Sequence, residues 1–229
     1  MKVAIFVDGG FYRRRSQSVL GDITAEERAK ELETYCHRHL HKSKGKDNCR
    51  EVELYRIFYY DCPPMDKKIY HPLLKKQVDF SKTELFVWSN TFLDELKKKR
   101  KFALRLGKLA DAQAHYSLKE KSLRALCNGK IKFEDLTEQD FIINVDQKGV
   151  DMKIGIDIAS LAYKKQVDQI VLISGDSDFV PAAKLARREG IDFILDPLGA
   201  PIKPDLFEHI DGLRSCDKAY VERIQKQQQ

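Results

Sequence analysis

The chain has 229 residues, of which 42% are hydrophobic, and it carries a formal net charge of +6. The length and apolar content are enough to bury one sizeable core, and no apolar run approaches the length that a membrane-spanning helix needs. Five cysteines at irregular spacing exclude a disulfide framework, so we predict a soluble, cytoplasmic protein in a reducing compartment.

The first elements in chain order predict a strand, a helix and a strand. KVAIFVD, Lys2–Asp8, is a short continuous apolar run that ends at an aspartate and is followed by two glycines, which predicts a buried parallel strand and then a tight turn. Thr24 and Glu27 form a capping box, which predicts a helix from there to about His41. VELYRIFYYD is rich in β-branched and aromatic residues and predicts a second strand that ends at Asp61. This order indicates a parallel sheet.

A cluster of cysteine and histidine residues lies at the end of the predicted helix. CHRHLHKSKGKDNC contains Cys36, His37, His39, His41 and Cys49. Structural zinc sites pair their ligands as Cys-x2-4-Cys with a second matching pair, and that pairing is missing here. We therefore favour the polar end of a helix and keep a zinc site as the alternative.

The middle of the chain, residues 62–139, mixes helix and strand signals. FLDELKKKRK looks helical, FALRLGKL is either a short strand or a continuation of that helix, and SLKEKSLRALCNG predicts a helix that ends at a glycine cap. We interpret this segment as a helical, basic elaboration of the core. No Gly/Ser-rich linker and no internal repeat divides the sequence, so we predict a single domain over residues 1–229.

Regular alternation of strands and helices returns after the middle segment. DFIINVD, QIVLIS and DFILD predict strands, and helices are predicted between them over about 151–165 and 179–189. Each connection is long enough for a right-handed crossover between parallel strands. The fold class predicted is therefore α/β, with a doubly wound and mainly parallel central sheet.

Four aspartates follow the predicted strands at places where ligands bind open α/β sheets, outside the carboxyl ends of the strands. They are Asp8, Asp151, Asp176 and Asp178. Two carboxylates about 4 Å apart repel by roughly 4 kcal/mol at an effective dielectric of about 20, and a divalent cation with oxygen ligands relieves that repulsion. We predict that these four residues bind Mg²⁺ or Mn²⁺ and are the catalytic acids.

Each of these acids also has a structural interpretation. Asp151 can be an acid in the first turn of a helix, Asp178 can be the N-cap of the helix that follows it, and Asp8 can be a turn residue. The coincidence of four such acids at one edge of a sheet favours the metal site.

Basic residues are bunched in two runs, RRR and KKKRK. Phosphate backbones are attracted to such runs, whereas a small neutral substrate does not need them. The predicted nucleic-acid-binding residues are Arg13, Arg14, Arg15, Lys97, Lys98, Lys99, Arg100 and Lys101. A solvated helix face is the alternative for the second run. Phe11, Tyr12 and Trp88 are candidates for stacking on unpaired bases, although core packing is the more ordinary use of Trp88.

The sequence resembles the NYN domains of the LabA-like group, relatives of the PIN nucleases, over Met1 to about Asp211. The segments that carry the resemblance are IFVDGGFYRR, QKGVDMKIGIDIA, ISGDSDFVPAAKLARREG and DPLGAPIKPDLFEHID. It implies a PIN-like, Rossmann-like α/β/α sandwich, cleavage of RNA with Mg²⁺ or Mn²⁺, and the same four aspartates as metal ligands. The sequence departs from the D-G-x-N pattern of many members, because Gly10, Phe11 and Tyr12 follow the first D-G. Asp157 lies in one motif, and we interpret it as a neighbour of the metal ligands or a partner for a buried lysine.

The predicted function is therefore a divalent-metal-dependent ribonuclease that acts on RNA, with single-stranded RNA favoured and single-stranded DNA left open. Two alternatives use the same residues differently: a non-catalytic module that binds RNA or protein, and a phosphatase for small phosphate esters. A homodimer is also left open. No membrane partner is expected.

Overall fold

The computed structural model describes residues 1–40 and 51–220. The chain divides into two compact units. The first comprises Met1–Asp61, Thr91–Gly107 and Gly149–Gln229, and the second comprises Cys62–Asn90 and Lys108–Lys148. His41 and Cys49, which the zinc alternative requires, lie outside the described residues.

Strands and helices follow one another along the described chain. In order, they are β1 (Lys2–Asp8), α1 (Gly9–Leu20), α2 (Ala25–Arg38), β2 (Glu53–Asp61), β3 (Lys68–His71), β4 (Lys76–Asp79), α3 (Glu84–Lys98), β5 (Phe102–Leu106), β6 (Lys108–Leu109), β7 (His115–Leu118), α4 (Glu120–Cys127), β8 (Phe141–Asn144), β9 (Gln147–Lys148), α5 (Val150–Tyr163), β10 (Gln169–Ile173), α6 (Val180–Arg188), β11 (Asp192–Asp196), α7 (Pro204–Phe207) and β12 (Gly212–Leu213).

A six-stranded sheet forms the centre of the first unit, in the order β12-β11-β10-β1-β2-β5, and every neighbouring pair is parallel. The chain moves outward from β1 to β2 and β5 on one side, and then from β10 to β11 and β12 on the other. The order therefore reverses between β1 and β10, the point at which doubly wound sheets bind their ligands. The predicted α/β fold with a mainly parallel sheet is confirmed.

Burial explains why the apolar runs form central strands. Residues 3–7 of β1 have no exposed surface, as expected for a parallel strand that is covered on both faces. The predicted capping box is present at α2: the Thr24 hydroxyl accepts a hydrogen bond from the Glu27 amide at 3.2 Å, and the Glu27 carboxylate accepts one from the Thr24 amide at 3.0 Å. This helix ends at Arg38, before His41.

Two predictions about the middle of the chain require correction. DFIINVD does not join the parallel sheet, because β8 pairs with β7 in an antiparallel ladder within the second unit. The second unit is also less helical than expected: beside α4 and the first part of α3 it contains three antiparallel pairs, β3-β4, β6-β9 and β7-β8. FALRLGKL supplies β5, the edge strand next to β2.

No helix within residues 1–40 and 51–220 is both long enough and apolar enough to cross a membrane.

Candidate active site at the carboxyl edge of the sheet

Asp8 is fixed at the point where the strand order reverses. It is the last residue of β1 and the N-cap of α1, and its Oδ1 accepts a hydrogen bond from the Phe11 amide at 3.0 Å. Its Oδ2 accepts one from the hydroxyl of Ser174, directly after the neighbouring strand β10, at 3.0 Å. Burial raises the pKa of Asp8 and Asp151 adds to the rise, while these two hydrogen bonds and the charge of Arg14 lower it.

Asp176 and Asp178 lie on the turn that follows β10. The Asp176 carboxylate accepts a hydrogen bond from the Asp178 amide at 3.1 Å and so caps a short 3-10 turn. The N-cap of α6 is Phe179, so Asp178 does not have the capping role of the structural interpretation. A Cβ added at Gly175 would lie 2.8 Å from the Phe11 ring, so the turn packs closely against the start of α1 and a larger residue there would have to displace that ring.

Asp151 lies in the first turn of α5, where it is exposed. Partial burial raises its pKa, and the negative charges of Asp176 and Asp178 raise it further. Because Asp151 in turn raises the pKa of Asp8, the electrostatic fields of all four predicted acids overlap. The structure therefore brings the four acids to one edge of the sheet.

Two of these acids have no structural partner. Within the part of the chain that the structure describes, the carboxylates of Asp151 and Asp178 accept no hydrogen bond and form no ion pair. Asp8 and Asp176, by contrast, each accept hydrogen bonds that shape the local backbone. A charged side chain without a hydrogen-bond or ion-pair partner, beside others of the same charge, is typical of a functional site. Asp151 nevertheless lies in the first turn of α5, as its structural interpretation predicted.

The donor set of these acids suits a hard divalent cation, because it consists of carboxylate oxygens. Among residues 1–40 and 51–220, however, no group of three or more His, Cys, Asp or Glu side chains is close enough to hold one ion. Asp8 keeps unused acceptor capacity on both oxygens, and the other three acids are exposed.

The three arginines of the RRR run have different environments. Arg13 forms an ion pair at 3.0 Å with buried Asp61, and Arg15 donates a hydrogen bond to the Leu198 carbonyl at 3.0 Å. Arg14 is exposed, and its charge acts on Asp8. Of the three, Arg14 is the one placed to meet a ligand at the acidic edge.

The KKKRK run lies at the other edge of the sheet, because it immediately precedes the amino end of β5. The chain's own acids pair with four of its five cations, Lys97 with Asp94 at 2.8 Å, Lys98 with Glu95 at 2.6 Å, Lys99 with Glu33 at 2.7 Å and Lys101 with Glu53 at 3.6 Å. The structure therefore does not bring this run and the four aspartates together.

Comparison with known proteins identifies the family. The model of the NYN domain family matches residues 87–201, half of the chain, and the match contains Asp151, Asp176 and Asp178. The chain belongs to the NYN domain family. The resemblance of its sequence to NYN domains is thereby confirmed, while membership of the LabA-like group stays a prediction.

Two similar proteins have no described function. The NYN chain is 32% identical over 81 residues to the uncharacterized protein y4oD of Sinorhizobium fredii, a match that covers 34% of the chain and 38% of y4oD. The chain thus spans little more than a third of the length of this relative. A crystal structure of a protein of unknown function from Vibrio parahaemolyticus is 14% identical, with 95% and 94% of the two chains covered and a TM-score of 0.45.

The stacking interpretation of Tyr12 and one of the two interpretations of Asp157 are wrong in this NYN domain. Tyr12 has no exposed surface and its hydroxyl donates a hydrogen bond to Glu31, so it is a core residue and does not stack on bases. Asp157 accepts hydrogen bonds from the Tyr60 hydroxyl at 2.8 Å and from Arg105 Nε at 3.1 Å, so its partners are a tyrosine and an arginine instead of a buried lysine.

Sequence reasoning missed two residues at the acidic edge. Ser174 positions Asp8, and Lys203 donates a hydrogen bond to the Ser177 hydroxyl at 3.1 Å. Both follow neighbouring parallel strands, β10 and β11, at their carboxyl ends. For Ser174 the signal was present in the strand assignment, because a polar residue directly after a parallel strand lies at the carboxyl edge of the sheet.

Proposed function

We propose that this protein is a divalent-metal-dependent ribonuclease that hydrolyses phosphodiester bonds of single-stranded RNA in an endonuclease-like manner. The observation that carries the proposal is the convergence of Asp8, Asp151, Asp176 and Asp178 at the reversal of strand order, with two of the four carboxylates lacking any structural partner in the described chain. Membership of a family with a PIN-like nuclease fold supports the same reaction class.

The arrangement is costly for stability, which favours a functional explanation. Burial disfavours the charged form of Asp8, and the negative charges of Asp176 and Asp178 disfavour the charged form of Asp151. Neutral asparagines would remove this repulsion and keep one acceptor oxygen each for a local hydrogen bond. Features that cost stability in this way are concentrated at functional sites.

The four aspartates would hold Mg²⁺ or Mn²⁺. When bound, such an ion lowers the pKa of a water molecule and stabilises the charge that develops on phosphate, which removes the need for a protein nucleophile. Asp8 supplies a fixed reference point, because hydrogen bonds from α1 and from the end of β10 hold its two oxygens. The exposed Asp151 and Asp178 adjust to the ligand, and Arg14 offsets the negative potential that would otherwise repel RNA.

A non-catalytic RNA-binding regulator is the second candidate. It is favoured by the spacing of the acids, since no three of the ligand-type side chains in the described residues stand within reach of one ion. A phosphatase that acts on small phosphate esters would use the same acids, and Arg14 would suit its substrate too, because arginine also binds the phosphate of a small ester.

The test compares three classes of substrate under two conditions. Labelled single-stranded RNA, single-stranded DNA and p-nitrophenyl phosphate are each incubated with the purified protein and either Mn²⁺ or EDTA, with Asp178→Asn as the matched variant. The proposal predicts cleavage of RNA by the parent protein in Mn²⁺ alone, and none by the variant. RNA binding without cleavage would identify the regulator, and hydrolysis of the small ester alone would identify the phosphatase.

A further inference from the structure

Lys203 brings a positive charge to the turn that carries two of the four aspartates. It lies in the loop between β11 and α7, and its Nζ donates a hydrogen bond to the hydroxyl of Ser177 at 3.1 Å. Ser177 is the residue between Asp176 and Asp178. The ammonium group of Lys203 is therefore held at the acidic edge by a neutral hydroxyl.

The backbone around Lys203 is fixed. Its carbonyl accepts hydrogen bonds from the amides of Leu206 at 3.1 Å and Phe207 at 3.2 Å, and the side chain of Leu206 is fully buried. Earlier in the same loop, the Leu198 amide donates to buried Asp196 at 2.8 Å and the Leu198 carbonyl accepts from Arg15. A lysine on an anchored loop loses less conformational entropy when it binds a ligand than one on a mobile loop.

The charge of Lys203 is not already neutralised. Lys203 is exposed, and it forms no ion pair with any residue in the described part of the chain, although it lies beside the Asp176–Asp178 turn. The lysines of the KKKRK run differ, because their ammonium groups lie within 4.0 Å of carboxylates. An ammonium without a carboxylate partner does not have to break an ion pair before it binds phosphate.

We propose that Lys203 binds a backbone phosphate of the RNA at the acidic edge, with Ser177 holding its ammonium group beside the turn that carries Asp176 and Asp178. This inference rests on the proposed function, since it names a substrate contact of the same site. The ligand group is a phosphodiester of the polynucleotide. Lysine suits it as a compact point charge with three donors.

Binding and cleavage are measured separately. The affinity of fluorescein-labelled oligouridylate is followed by anisotropy in EDTA over a series of salt concentrations, and KM and kcat are measured with Mn²⁺. The variants are Lys203→Gln, which removes the charge, Lys203→Arg, which keeps it, and Ser177→Ala, which removes the anchor. Lys164→Gln is the matched control, because Lys164 is an exposed lysine at the C-terminal end of α5, on the amino side of the sheet.

Lys203→Gln should weaken binding about 3- to 10-fold at low salt and lower the log–log salt slope by about 0.7, the value for one phosphate contact on a single strand. It should raise KM by a similar factor with kcat little changed. Lys203→Arg should keep the parental slope, and Ser177→Ala should keep the slope with a smaller rise in KM. Lys164→Gln should match the parent.

A parental slope and KM for Lys203→Gln would overturn the inference, as would an equal effect of Lys164→Gln. A lower melting temperature for Lys203→Gln with an unchanged salt slope would also overturn it, since this would show a structural role for the lysine. Failure of the proposed function would give a different result. The parent protein would then bind RNA in a way that depends on Lys203 but would not cleave it in Mn²⁺. This outcome would support the phosphate contact and reject the nuclease activity.

Discussion

The two edges of the parallel sheet use charge in opposite ways. At the amino edge, four cations of the KKKRK run are paired with carboxylates of the chain itself. At the carboxyl edge, Asp151 and Asp178 have no partner among the described residues, and the exposed Arg14 and Lys203 form no ion pair there. The density of charge in a sequence therefore does not locate a binding site. Charged side chains without partners at the ligand-binding edge of the fold are a better guide to a binding site. Exposed ion pairs are a poor guide, because each charge is already paired within the chain and such pairs contribute little.

The largest expected difference between the two edges is in the stabilisation of the folded protein by a divalent ion, which we expect to bind only at the carboxyl edge. Mn²⁺ bound to the four aspartates should raise the free energy of unfolding by about 2.7 kcal/mol at a hundredfold excess over its Kd. Thermal melts of the parent with Mn²⁺ and with EDTA measure this effect.

Two variants control for binding at other places on the protein. Asp178→Asn should lose most of the Mn²⁺-dependent increase in Tm, whereas Glu95→Gln at the amino edge should keep it, because Glu95 pairs with Lys98 far from the four acids. An identical Tm of the parent in Mn²⁺ and EDTA would count against a metal site at the carboxyl edge.

A smaller effect is expected from the protonation of Asp8 in the absence of metal. Burial raises the pKa of this carboxyl group above its ordinary value of 3.8. The protonated group thus contributes stability at pH values below 3.8, and this contribution is lost as the pH rises through the raised pKa. Asp8→Asn does not titrate, so the variant should gain stability relative to the parent as the pH rises through that window.

Urea unfolding of both proteins in EDTA at a series of pH values gives this difference directly. A difference that stays constant with pH, or that grows in favour of the parent as pH rises, would show that burial does not control the protonation of Asp8. Other acids also have shifted pKa values, among them Asp79 and Asp217 with lowered ones, and the subtraction removes their contributions because both proteins carry them.

The central strands of the fold could be predicted from the sequence because their physical signal is local. β1, β10 and β11 are short apolar runs that a parallel sheet buries on both faces. The sequence-based prediction places β8 in the wrong sheet. The residues of β8 themselves indicate that it is a strand, but the strand with which it pairs lies elsewhere in the sequence and leaves no local pattern. The alternating burial of Phe141–Asn144 is typical of an antiparallel strand, and it indicates a sheet with one exposed face.

The candidate site could be predicted only in part for the same reason. Each predicted acid follows a strand or opens a helix, which places it at the carboxyl edge once the strands are parallel. Lys203 acquires its position from a hydrogen bond to Ser177, 26 residues earlier, and no local pattern reports such a contact. The KKKRK run lies at the amino edge because FALRLGKL forms a strand directly after it. The spacing of apolar residues in FALRLGKL fits either a strand or a helix, so the sequence leaves the position of the run open.

The smallest effect is expected at the amino edge. Replacing Lys97, Lys98 and Arg100 together with glutamine should lower the log–log salt slope of RNA binding by no more than about 2, and by less if the carboxylates of Asp94 and Glu95 keep the two lysines paired. The rate of cleavage at saturating RNA should stay at the parental value. A large loss of that rate would contradict the separation of the two edges.

The most direct test of chemistry at the carboxyl edge is the single-turnover cleavage of labelled single-stranded RNA by Asp178→Asn in Mn²⁺, with RNA affinity measured in EDTA. Asp178 has no structural partner in the described chain, so the fold and the metal-free affinity should be preserved. We predict a rate at least about 100-fold lower, which corresponds to about 2.7 kcal/mol of lost transition-state stabilisation. Asp176→Asn in the same protein should add much less than its own single effect, because both acids serve one site. Cleavage by Asp178→Asn at the parental rate would contradict the claim that the carboxyl edge carries the chemistry.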